Sequence, residues 1–187
     1  MKRDIFSATE REQLAMPVSR RDHIQGPANA PLTLLEYGDF ECPVCGMAYA
    51  VVKTLQQNLR HRLRFVFRHF PMTNVHPHAE HAAEAAEAAG ARGAFWEMHD
   101  LLFENQEALE DEDLLEYAAA LRLDTSAVLA EIEAGAYAGR LREDFMSGVR
   151  SGVNGTPTFF INGLRYEGSF DAESLMGALV ETAEPEI

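Results

Sequence analysis

Both cysteines of the chain fall within four residues, in "EYGDFECPVCG" (residues 36–46), where one hydrophobic pattern gives way to another. Before them, "LTLLEYG" (residues 32–38) is a short, strongly apolar run with the character of a buried strand. After them, Met47, Val51, Val52, Leu55 and Leu59 recur at helical spacing from Pro43 onward. The fold must therefore bring a strand directly into a helix and leave two thiols at the junction.

The neighbouring segments extend this unit. "LRFVFRHF" (residues 63–70) alternates and is rich in aromatic and β-branched side chains, which predicts a second strand and a right-handed parallel crossover. Residues 76–150 are dominated by alanine, leucine and glutamate, broken at Gly90, Gly93 and Gly135, with Asp111 and Asp124 as N-cap candidates; four or five helices are expected. "GTPTFFINGLRYEG" then reads as a hairpin, with Thr158 to Ile161 as one strand, an Asn162-Gly163 turn of type I′, and a return over residues 164–167. An amphipathic helix capped by Asp171 and carrying Leu175, Met176, Leu179 and Val180 closes the domain. Within "HAAEAAEAAG", Glu80, Glu84 and Glu87 share one helical face, expected to be solvated. Residues 1–22 are polar without a clean period and read as a loosely attached arm, leaving 23–187 as one domain.

Composition removes several classes of function. A net charge of −14 opposes the phosphate backbone, and no basic cluster interleaved with aromatics offsets it, so nucleic acid is not an expected partner. Charges interrupt the N-terminal region before any apolar stretch reaches signal-peptide length, and no run approaches the roughly 18 apolar residues that a spanning helix needs. A cytoplasmic address, without stable membrane insertion, is the expectation.

Cys42 and Cys45 admit three uses. Zinc requires two further ligands. The nearest candidates, His76, His78 and His81, flank a helix start marked by Pro77, where histidines commonly face solvent. No metal site is expected. A disulfide over two intervening residues closes too small a loop to constrain the unfolded chain much. Redox chemistry has a positional warrant: a sulfur immediately before a helix meets unsatisfied backbone N–H groups and the positive end of the helix dipole, which favour the thiolate. Pro43 suits the first helical position because its missing N–H would have had no partner there. Cys45 is close enough to resolve a mixed disulfide by intramolecular attack.

"FECPVCG", the helical block inserted between two halves of a core, and "GTPTFFING" in that order resemble the DsbA-like thiol-disulfide oxidoreductases, from about His23 to the C-terminus. "NVHPHA" and "FWEMHDLLF" are further similar to thioredoxin-like domains sometimes fused to sodium/proton antiporters; here they stand without a transporter. The resemblance implies an α/β thioredoxin fold with a helical insertion over about 76–150. It also implies that Cys42 is the exposed nucleophile and Cys45 the shielded resolving thiol. Pro157 would be cis and face the cysteines, with the Thr156 backbone pairing to an extended substrate; from the sequence alone the bond could equally be trans. A proline there must sit at a strand's edge or start. Glu36 matches the acidic residue beneath the resolving cysteine, where burial would raise its pKa and let it take a proton from Cys45, unless it is a strand-end glutamate facing water. Asp39 and Glu41 would oppose the Cys42 thiolate if close to it.

Pro43 and Val44 depart from the Pro-His pair of the strongly oxidising members, so a less acidic Cys42 and a less oxidising disulfide are expected. Phe40, Trp96 and Phe159 read as core. The expected activity is disulfide exchange with cysteine-containing polypeptides or low-molecular-weight thiols through a Cys42 mixed disulfide, by a monomer without cofactor that depends on a recycling redox partner. The alternative is a non-catalytic thioredoxin-fold module that binds peptides, acts as a chaperone or responds to metal. Direction stays open: a reducing cytosol favours reductase work, the resemblance oxidation.

Overall fold

The computed structural model describes residues 13–183, which form five strands and seven α-helices in a thioredoxin-like α/β arrangement. By its contacts the chain divides into two units. The first comprises the described parts of Met1–Tyr37, Met47–Arg68 and Ser147–Ile187; the second comprises Gly38–Gly46 and His69–Met146.

The first unit is built on a sheet of order β1-β3-β2-β4-β5: β1 (His23–Gln25), β2 (Leu32–Gly38), β3 (Leu63–His69), β4 (Thr158–Ile161) and β5 (Leu164–Tyr166). All of β2 is buried, as its nearly unbroken apolar sequence requires of a central strand covered on both faces. β4 lies antiparallel to β2, with Glu36 opposite Phe159 and Tyr37 opposite Thr158. The β4–β5 hairpin turns at Asn162 and Gly163, whose φ values of 48° and 86° are those of a type I′ turn. Asn162 also ties the turn to β2, accepting the Thr33 N–H through Oδ1 at 2.8 Å. Helix α1 (Pro43–Leu59) enters this unit from Met47, and α7 (Ala172–Ala183) packs on β4. Asp171 caps α7, accepting the Ser174 N–H at 2.9 Å, and its hydrogen bonds from Ser174 and Ser169 lower its carboxyl pKa to about 2.

β1 has no counterpart among the expected elements. Three residues offer too short a period to read, and the strand exists because it pairs antiparallel with β3. The arm is also not loose where it is described. Arg68, almost wholly buried, forks onto Asp22 at 2.7 and 3.1 Å and donates to the Met16 carbonyl and the Tyr37 hydroxyl, each at 3.0 Å. Tyr37 in turn meets the Ser147 hydroxyl at 2.7 Å. A buried guanidinium needs such a full set of acceptors, so residues 16–22 are held by charge pairing that polar composition did not reveal. Residues 1–12 of the expected arm lie outside the described residues.

In the second unit, α2 (Ala79–Gly90) packs against α3 (Phe95–Glu104), α4 (Asp111–Ala120) and α5 (Thr125–Glu133), and α6 (Ala138–Arg150) follows. The alanines of α2 are buried and let its neighbours approach closely. Two expectations are corrected here. Asp111 is the first residue inside α4, and Glu110 is the cap, in a capping box with Asp113. Asp124 caps α5 as expected. The acidic face of α2 is solvated only at Glu80, which is exposed as expected; Glu84 and Glu87 are only 2% and 7% exposed. Glu84 accepts the Tyr137 N–H at 2.9 Å, while Glu87 meets His69 at 2.9 Å and lies 3.6 Å from Arg140. Burial raises the Glu84 pKa. Periodicity located the face; partners from other segments decided what covers it.

Candidate active site

In the second unit, Asp39, Phe40, Glu41 and Cys42 lead from β2 into α1. The Cys42 N–H donates to the Asp39 carbonyl at 3.2 Å, and the Cys42 carbonyl accepts the Gly46 N–H at 3.1 Å. Cys42 is therefore the N-cap of α1, with Pro43 at the first helical position and Cys45 within the first turn. Its sulfur belongs to the residue that heads the helix, where the N-terminal partial charge favours an anion. The two sulfurs are thiols and are not joined in a disulfide. Cys45 is wholly buried, as expected, but Cys42 is far from fully exposed at 6%. The correction has a physical source: a cap residue is folded back into the turn that it closes, and the exposed residues of this turn are Pro43 and Val44 between the two cysteines.

Two side chains that sequence reasoning treated as a charge problem instead organise the turn. Asp39 accepts the Glu41 N–H at 2.9 Å and the Met72 N–H at 2.8 Å, and its Oδ2 meets His76 Nδ1 at 2.8 Å. Glu41 accepts the His78 N–H at 2.7 Å and meets His78 Nδ1 at 2.9 Å. His81, one turn further on, is paired with Asp111 at 2.6 Å. Each histidine once considered as a metal ligand thus has a carboxylate on Nδ1. Because a carboxylate only accepts, each of these three bonds is donated by the imidazole Nδ1–H. Burial works against charge on His76, but the Asp39 hydrogen bond and charge, followed by Cys42 and Glu41, outweigh it and raise its pKa above 6.5.

Gln106, in the segment between α3 and α4, was missed. Its Nε2 donates to the Phe40 carbonyl at 2.7 Å and to the Cys42 carbonyl at 2.9 Å, clamping the turn from outside. A Cβ at position 46 would collide with Gln106 Oε1, so Gly46 leaves the space that the clamp occupies. No signal in a lone sequence joins Gln106 to the cysteines. Phe40 beneath the turn is core, 4.9 Å from the Phe103 ring and 5.7 Å from that of His99.

The remaining expected residues stand in the first unit. Glu36 is buried on β2, so a water-facing side chain is excluded. The Thr156–Pro157 bond is cis, and Pro157 immediately precedes β4, where its missing N–H removes no ladder bond. Since Tyr37 pairs with Thr158, the sheet brings Glu36 and Pro157 to one end of the β2–β4 pair. A pocket of about 290 Å³ beside Pro157 is lined by Phe159, Arg165, Tyr166 and Phe170. Among the described residues no helix is long and apolar enough to cross a membrane.

Comparisons with known proteins agree with this architecture. Over 89% of its length the chain is 50% identical to the Na(+)/H(+) antiporter NhaA 1 of Salinispora arenicola, and over 84% it is 44% identical to the antiporter NhaA of Herminiimonas arsenicoxydans. It spans about a quarter of these curated relatives, 26% and 25%. Among solved structures, BdbD from Bacillus subtilis superposes with a TM-score of 0.83 at 20% identity, covering 92% of this chain and 97% of BdbD. A thioredoxin-like oxidoreductase from Silicibacter pomeroyi gives 0.79 at 24% identity (90% and 95% covered), and alpha-DsbA1 of Wolbachia pipientis gives 0.77 at 19% (92% and 96%). The fold is therefore that of the DsbA-like thioredoxin proteins. The family model described as Thioredoxin matches residues 19–181, and the chain belongs to that thioredoxin family.

Proposed function

We propose that this protein is a thiol-disulfide oxidoreductase. The carrying observation is Cys42 at the N-cap of α1 with Cys45 buried in the same turn. In the reducing direction the Cys42 thiolate attacks one sulfur of a substrate disulfide. That S–S bond breaks, a Cys42–substrate disulfide forms, and the other substrate sulfur leaves as a thiolate that takes up a proton. Cys45, having lost its proton, attacks the Cys42 sulfur; the second substrate thiolate departs and the Cys42–Cys45 disulfide remains. Two electrons have passed from the enzyme dithiol to the substrate. Glu36 accepts the Cys45 proton in this scheme, and its burial supports the assignment. The Thr156 backbone beside Pro157 pairs with an extended substrate segment.

The substrates are cysteine-containing polypeptides or small thiols, and a recycling redox partner completes the cycle. The protein acts as a cytoplasmic monomer in this reading, in which case a reducing glutathione pool drives it as a reductase. The fold neighbours, one of them described as a thioredoxin-like oxidoreductase, support the chemistry. Reduction of insulin disulfides tests it: Cys42→Ser should abolish turnover, and Cys45→Ser should accumulate a Cys42 mixed disulfide visible by intact mass. Turnover that survives Cys42→Ser, or its absence in the wild type with every recycling system supplied, would overturn the reading. Equilibration with glutathione measures the direction.

A further inference from the structure

We infer that His76, held through Nδ1 by the buried Asp39 carboxylate, is the cation that stabilises the Cys42 thiolate. This rests on the oxidoreductase reading and adds to it the residue that sets the acidity of the nucleophile. Val44 between the cysteines supplies neither charge nor a hydrogen bond. Asp39 occupies the position from which both partners are fixed. Its backbone carbonyl takes the Cys42 N–H at 3.2 Å, and its side chain takes His76 Nδ1 and the Met72 N–H, both at 2.8 Å. The backbone N–H of His76 donates to the Met72 carbonyl at 2.9 Å, which fixes the chain segment that carries the ring. Asp39 is thus the positioning residue, and His76 is a charge anchored to the same turn as the sulfur.

The groups acting on His76 are Asp39, Cys42 and Glu41, and all three favour its protonated form. Glu41 is itself occupied by His78. Asp39 and Glu41 therefore do not simply oppose the thiolate: each is hydrogen-bonded to an imidazole. In exchange, Cys42 is both nucleophile and leaving group. A cation that stabilises its thiolate accelerates attack at low pH and, by favouring the reduced enzyme, makes the Cys42–Cys45 disulfide more oxidising. No bond is made or broken at His76 itself.

Two measurements test this on the full chain, neither of which needs turnover. First, the pH dependence of iodoacetamide alkylation at Cys42 is compared between wild type and His76→Gln, with His78→Gln as control. The midpoint should rise by about one unit in His76→Gln, and alkylation below it should slow by about tenfold. The rates should converge above the wild-type His76 midpoint, where His76 has lost its charge. The glutathione equilibrium should shift about tenfold toward the oxidised variant at pH 6. Second, the His76 ring is titrated by NMR in wild type and in Cys42→Ser. Reciprocity requires the loss of the thiolate to lower the His76 midpoint by the same amount, and this holds even if His76→Gln does not fold. Midpoints that agree within about 0.2 units overturn the inference. A protein with these shifts but no insulin reduction would retain the His76 assignment and sink the oxidoreductase reading; normal reduction without the shifts would do the reverse.

Discussion

Two histidine–carboxylate pairs in this molecule have nearly the same bond and different surroundings. His76 meets Asp39 at 2.8 Å with side-chain exposures of 19% and 0%. His81 meets Asp111 at 2.6 Å with 48% and 46% exposed. The shorter contact is the weaker one. Water competes for both partners at His81, and salt screens them, whereas Asp39 has no water to fall back on and serves two backbone N–H groups as well. Rank in a folded protein is set by what a group loses on removal, and bond length is a poor guide to that.

The largest expected effect is at the buried end. Asp39→Ala strips the acceptor from Glu41 N–H, Met72 N–H and His76 together, and should cost about 3–5 kcal/mol in urea denaturation. A loss below about 1 kcal/mol would place Asp39 in the same class as Asp111. Next comes the clamp. Gly46→Ala forces Gln106 aside, and because the obstacle is the end of a flexible side chain, the loss should be about 1–2 kcal/mol, as for two hydrogen bonds. Gln106→Ala should match it, and the double variant should be no worse than either alone; additive losses would show that the two residues act separately.

A pH scan sharpens the contrast further. His76 has a folded-state pKa above its ordinary 6.5, so the stability it contributes is fully present below about pH 6.5 and is lost as pH rises through the folded value. The Tm difference between wild type and His76→Gln should accordingly be widest near pH 5.5 and shrink toward pH 9. A constant difference would mean that the ring acts by packing alone. Smallest is His81→Gln, expected to stay within about 0.5 kcal/mol and to leave Cys42 alkylation unchanged.

The sequence made the thioredoxin core readable because its parts are local. β2 has an apolar run, α1 a helical stripe beginning at Pro43, and the hairpin an Asn-Gly pair that can adopt two positive φ angles. The cysteine turn was legible for the same reason. What surrounds it was not. Met72, His76, His78 and Gln106 come from 30 or more residues away in sequence, and a single chain carries no record of which carboxylate meets which imidazole. Glu84 and Glu87 illustrate the failure: a helical face of glutamates reads as wet until the Tyr137 N–H and His69 arrive to cover it. The degree of Cys42 burial was not legible either, because cap geometry folds a side chain inward by an amount that no motif states.

The Gln106 clamp has a bearing on engineering this scaffold. A minimal protein made by splicing out the helices and rejoining strand to hairpin would keep Cys-Pro-Val-Cys and discard the amide that grips the Phe40 and Cys42 carbonyls, along with both imidazoles. Such a trimmed protein would carry the motif without its tuning. Miniaturisation here has to transplant a bracket as well as a loop.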